Sequence, residues 1–75
     1  MIPEEDLTRW AGLYDLGHRN LDGWSDPRAK AARDELENEL MEAYARLGLS
    51  VHYGEFHRHA IRRMIAFLKD KPPSI

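Results

Sequence analysis

The sequence predicts an all-α fold, a small three-helix bundle, and three observations predict it. Pro and Gly residues divide the chain into three segments, each segment repeats its apolar residues at helical spacing, and none alternates in the manner of a strand. Short links between helices favour antiparallel neighbours. The expected arrangement is therefore a long antiparallel hairpin of helices 2 and 3 with helix 1 packed across it.

Helix 1 is expected over about residues 3–16. Pro3 suits a first turn, where its missing N–H would have no partner, and Glu4, Glu5 and Asp6 favour the positive end of the helix dipole. Leu7, Trp10, Ala11 and Tyr14 share one face. Leu13 and Leu16 fall outside that face, so the apolar surface is wide. Fraying is expected by Gly17, followed by a loop through His18 to Trp24 with an Asp22-Gly23 turn.

Helix 2, over about 26–47, carries the clearest punctuation. Ser25 or Asp26 can cap it, and Pro27 is pre-set for the first helical position. Ala29, Ala32, Leu36, Leu40, Ala43, Tyr44 and Leu47 form one stripe, with Glu35, Glu39 and Glu42 on the opposite, solvated face. Gly48 ends the helix by entering the left-handed conformation, and Leu49 can fold back over the last turn.

Helix 3, over about 53–70, is weakened in its first turn by Gly54 and stopped by Pro72 and Pro73. Phe56, Ala60, Ile61, Met64, Ile65, Phe67 and Leu68 span about half of its circumference. Residues 71–75 are expected to form a mobile tail.

The totals bound the function. Seventy-five residues make one helical domain, 1–75, since a chain this short has no room for two cores. With no cysteine, disulfides and thiolate metal sites are excluded, and a reducing compartment is the natural setting. No stretch reaches the roughly 18 apolar residues of a membrane helix, and the acidic start is unlike a signal peptide. A cytoplasmic protein with no membrane partner is expected.

The net charge of −2 conceals an asymmetry. Residues 1–50 hold six Lys or Arg against eleven Asp or Glu, and residues 51–75 hold five against two. Neutralisation between packed segments accounts for this pattern, and so does a basic face for an acidic partner.

The apolar residues outnumber what one small hairpin covers. Leu13 and Leu16 on helix 1, with Ile61, Ile65 and Leu68 on helix 3, extend beyond the stripes. Exposed apolar area of this kind marks interfaces, so a protein partner is expected, either a second copy in a homodimer or a larger complex. Trp10 and Trp24 are candidate anchors, because aromatic side chains dominate interface energetics. Arg58, Arg62 and Arg63 would form an orienting polar rim.

Candidate chemistry is sparse. His52 with Glu55, and Glu55 with His59, have the spacing that brings two ligands to one metal ion, which is also the spacing of an ordinary surface pair. His57 falls in the centre of the helix 3 apolar arc, where a neutral core histidine bonded to a Tyr or a carbonyl is expected, with a pH-sensitive interface residue as the alternative. The hydroxyls Thr8, Ser25, Ser50 and Ser74 have no evident activating base, and no Gly-rich phosphate loop is present. No enzyme activity and no cofactor are expected.

Leu47-Gly48-Leu49-Ser50 between two helices resembles the turn of the helix-turn-helix family over roughly Ala43 to Arg63. The resemblance implies nucleic-acid binding by helix 3, with Arg58, Arg62, Arg63 and Lys69 facing phosphates. The chain departs from the motif at Tyr44, where a small residue is preferred, and at Gly54, where an apolar residue is preferred. Its preceding helix is also too long. Nucleic acid therefore ranks behind a protein as the expected partner.

Overall fold

The computed structural model describes residues 2–18, 25–48 and 52–70. They form three helices, α1 (Glu4–His18), α2 (Pro27–Arg46) and α3 (Tyr53–Lys69), with no strand among the described residues. The expected loop from residue 19 to Trp24, the turn residues Leu49 and Ser50, and the 71–75 tail lie outside the described residues.

Local chemistry sets the helix ends. Glu4, Glu5 and Asp6 occupy the first turn of α1, and the Leu7 amide donates to the Pro3 carbonyl at 3.0 Å. Asp26, not Ser25, caps α2. Its backbone is extended (φ −64°, ψ 123°), and its carboxylate accepts from the Arg28 amide at 2.8 Å while Pro27 opens the helix. Beyond the last turn, Gly48 adopts φ +61°, which spares the strain a side chain would meet there, and its amide donates to Ala45. At the start of α3 the His52 side chain makes no capping bond. Its carbonyl instead accepts from the amides of Glu55 and Phe56.

The expected pairing needs correction. α1 packs against both other helices, most extensively on α2, whereas α2 and α3 share the smallest seam. The antiparallel pair is α1 with α2: Asp6 meets Arg46 at one end, Trp10 meets Glu39, and Gly17 meets Arg33 at the other. α3 starts against α2, where Tyr53 meets Tyr44 and Glu37, and its last turns reach the start of α1 beside Ile2 and Leu7. The helix expected to lie across the others is in fact their common neighbour.

The core draws on all three helices. Ile2, Leu7, Trp10 and Ala11 meet Leu36, Leu40 and Ala43 of α2 and Phe56, Ala60 and Met64 of α3. Trp10, Leu40 and Met64 are the largest fully buried side chains. Trp10 packs edge-on to Phe56 with ring centroids 6.3 Å apart, and its Nε1–H donates to Glu39 Oε1 at 3.1 Å. Alanines at 11, 43 and 60, all fully buried, keep the helix backbones close. Trp10 is thus a core residue and does not serve as the surface anchor its type suggested. Trp24, the other expected anchor, lies outside the described residues.

Candidate functional site

The outer side of α3 is where the structure concentrates unsatisfied chemistry. Phe56, Ala60 and Met64 turn inward and fix the rotation of the helix. That rotation sends Arg58, Arg62, Ile65 and Lys69 outward, within about 60° of arc and about 16 Å of helix length. All four are exposed, as are the flanking His59 and Arg63. None of Arg58, Arg62, Arg63 and Lys69 has a hydrogen-bond or ion-pair partner among the described residues. The stretch from 58 to 69 contains four cations and no carboxylate.

The apolar surplus is smaller than the sequence suggested. Leu13, Ile61 and Leu68 are half-buried and pack against the core, and Leu16 is also half-buried. Of the five expected interface residues only Ile65 is exposed, at 37%. The physical reason lies in α1. A helix wedged between two others has two faces to cover, so its broad apolar surface is largely used within one chain.

Sequence reasoning missed Met41, which at 54% is the most exposed large hydrophobic side chain described. Its signal was available, since Met41 stands off the α2 stripe among Glu37, Asn38 and Glu42. The stretch from 34 to 45 holds five carboxylates and no cation. Two of them face α1 instead of solvent alone. Glu39 is half-buried, accepts from Trp10 and pairs with Arg9, whose guanidinium also lies 3.8 Å from Glu35. The expectation that Glu39 belongs to a solvated face is therefore corrected. Glu42 is exposed and unpartnered among the described residues.

His57 is not the core histidine that the helical arc implied. Its side chain is 36% exposed, with Nδ1 3.8 Å from Glu37 Oε1 and 3.5 Å from the Tyr53 hydroxyl. The Tyr53 hydroxyl donates to Glu37 Oε2 at 2.7 Å. Burial, then this bond to a carboxylate, pushes the Tyr53 phenol above its ordinary pKa. A cleft of about 190 Å³ opens nearby, lined by His18, Arg33, Leu36, Glu37, His57 and Ile61. His57 sits at the rim of the apolar arc, beside Tyr53 and Glu37 where α3 begins against α2.

His52, Glu55 and His59 are all exposed, and the structure does not gather them. Among the described residues no group of three or more His, Asp or Glu side chains is placed to hold a metal ion. A shallow groove of about 400 Å³ between the start of α1 and the end of α3 has an apolar floor of Ile2, Leu7 and Phe67, rimmed by Glu4, Arg63 and Asp70.

No protein-family model matches the sequence, and no curated protein or solved structure matches it. Among the described residues no helix is long and apolar enough to cross a membrane.

Proposed function

We propose that this chain is a non-enzymatic protein–protein interaction domain that docks through the outer side of α3. One observation carries the reading: exposed Ile65 stands in a row with Arg58, Arg62 and Lys69, whose charges have no partner within the described chain. Half-buried Ile61 and Leu68 flank the row, so an apolar strip lies beside a cationic one. Interfaces combine apolar anchors with charged rims in this manner, the anchors supplying energy and the rim orientation. Leu13 and Leu16 of α1 contribute less than expected, since most of their surface is covered. A second copy is the first partner to consider, because two-fold homodimers are the commonest assemblies.

The test is capture from native cell extract with the tagged chain and with a chain carrying Ile65→Glu and Arg62→Glu. A protein recovered stoichiometrically with the first and lost with the second, at unchanged helicity and after nuclease treatment, supports the reading. Equal recovery with both removes α3 from the docking role.

The same unpartnered cations favour a second reading, nucleic-acid binding through Arg58, Arg62, Arg63 and Lys69. Phosphate contacts by exposed Arg and Lys are salt-dependent and sequence-independent. The chain's net charge of −2 and the absence of an outward aromatic on this row weigh against it. Gel retardation of a short duplex in ~20 mM salt decides it, and unaltered migration removes the reading.

A further inference from the structure

We infer that the partner of the α3 row is the outer face of α2 in a second copy of the same chain. This rests on the reading of α3 as a docking surface and adds the identity of what it docks on. Only two large hydrophobic side chains are exposed among the described residues, Met41 on α2 and Ile65 on α3. Each lies within a charged stretch of twelve residues, and the two stretches have opposite sign. Around Met41 the stretch 34–45 has five carboxylates and no cation. Around Ile65 the stretch 58–69 has four cations and no carboxylate.

The pairing is one of helix faces. Asp34, Glu37, Asn38 and Met41 fall within about 100° of arc on α2, and Glu42 borders them. Arg58 to Ile65 spans the same seven-residue interval as Asp34 to Met41, so two helices laid side by side in parallel place Ile65 against Met41 and the arginines among the carboxylates. Within one copy the α2 acids are only partly compensated. Lys30 holds Asp34 at 2.8 Å in an exposed pair, Arg9 takes Glu35 and Glu39, Glu37 accepts from the neutral Tyr53 hydroxyl and lies 3.8 Å from His57 Nδ1, and Glu42 has no partner among the described residues. On α3 no cation of the row has a hydrogen-bond or ion-pair partner among the described residues. If the pair is two-fold, the contact is made twice, α3 on α2 and α2 on α3. Like faces set against each other, α3 on α3, would instead bring arginine to arginine, a repulsive contact.

Charge exchange tests this directly. One variant carries Arg58→Glu and Arg62→Glu, the other Asp34→Arg and Glu42→Arg; all four positions are exposed, and circular dichroism checks that both variants remain helical. Sedimentation equilibrium is then run on the full chain, on each variant and on an equimolar mixture. The parent is expected to reach twice its 8.7 kDa mass and to weaken as salt rises from ~50 to ~500 mM. Each variant alone should dissociate about tenfold more readily or worse, because like charges then face each other. The mixture should recover association, since every contact between the two variants is again between opposite charges.

A parent that stays at 8.7 kDa up to ~0.5 mM overturns the inference, while capture of another protein that depends on Ile65 and Arg62 would leave the docking role of α3 standing. Variants that associate as well as the parent place the contact elsewhere and overturn it too. Retardation of duplex DNA by the parent, lost in the Arg58→Glu, Arg62→Glu chain, assigns the cations to phosphate and likewise overturns it.

Discussion

Gly17 and Arg33 join α1 to α2 in two ways at once. Arg33 Nη1 donates to the Gly17 carbonyl at 3.0 Å, and a Cβ placed on Gly17 would lie 2.7 Å from Arg33 Cγ. The backbone of α2 is also near, with the Arg33 nitrogen at 3.4 Å and the Ala29 carbonyl oxygen at 3.5 Å from that position. Gly17→Ala therefore forces the Arg33 side chain out of its present position and strains its bond to the residue 17 carbonyl. Overpacking of this kind costs about 1–3 kcal/mol, against a propensity gain of at most about 1 kcal/mol near a helix end. Gly12, exposed with nothing within 4 Å of an added Cβ, provides the opposite sign: Gly12→Ala should add about 0.5–1 kcal/mol. Urea denaturation of the two variants should bracket the parent.

Trp10 should dominate the stability of the core. It is 1% exposed and touches both seams, through Phe56 on α3 and Glu39 on α2. Trp10→Ala should cost about 3–5 kcal/mol, enough to unfold a domain of this size. Trp10→Phe keeps an aromatic ring but removes the indole N–H. Glu39 retains Arg9, so no buried carboxylate is stranded and the loss should be nearer about 1–2 kcal/mol. Thermal melting followed at 222 nm measures both.

Acid should weaken the start of α2. The Asp26 carboxyl is held below its ordinary pKa of 3.8, first by the Arg28 side chain and then by the Arg28 amide. A lowered pKa in the folded chain means that the stabilisation is present above pH 3.8 and disappears as pH falls through the lower, folded-state value. Asp26→Asn retains an acceptor for the Arg28 amide and cannot titrate. Its melting temperature at pH 7 should lie somewhat below that of the parent, because the charge-dependent contact with the Arg28 side chain is gone, and the drop between pH 4 and pH 2.5 should be smaller. An equal drop in both chains would show that Asp26 is not the group responsible.

At the alkaline end the marker is Tyr53. Burial and the bond to Glu37 raise its pKa, so its contribution to stability is complete below pH 10 and is lost as pH rises toward the folded-state value. Glu37→Gln removes the carboxylate charge and keeps an acceptor in place. The tyrosinate absorbance step of Tyr53, isolated by difference against Tyr53→Phe, should move to lower pH in the Gln variant. A step at the same pH in both would leave burial as the sole cause.

Much of the fold was legible because its punctuation is redundant. α2 has Asp26 and Pro27 at one end and Gly48 at the other, with a single apolar stripe between them, and the structure uses each of those signals. What the sequence hid was the middle position of α1. Leu13 and Leu16 looked like a surface left bare, whereas a helix with neighbours on two sides needs a second apolar flank. Glu39 was placed in solvent for a related reason: its partners, Arg9 and Trp10, come from another helix, and helical period says nothing about them. His57 lies at the margin of an arc whose centre is buried, and only the way α3 meets α2 decides on which side of that margin it falls. Ile65 and the arginine row were visible from period alone. Met41 was visible too, as the residue that breaks the polarity of the α2 outer face.

Because both other helices lean on α1, the protein has no intact half without it. Disturbing α3 leaves the α1–α2 seam closed, with Asp6 on Arg46 and Arg33 on Gly17, whereas without α1 only the small α2–α3 seam around Tyr44, Tyr53 and Phe56 remains. The first 48 residues therefore already carry a zipped pair before α3 is added. Deuterium uptake should reflect this hierarchy, α3 amides exchanging ahead of those that α1 and α2 protect together. Uniform uptake across all three helices would mean that the chain opens only as a whole.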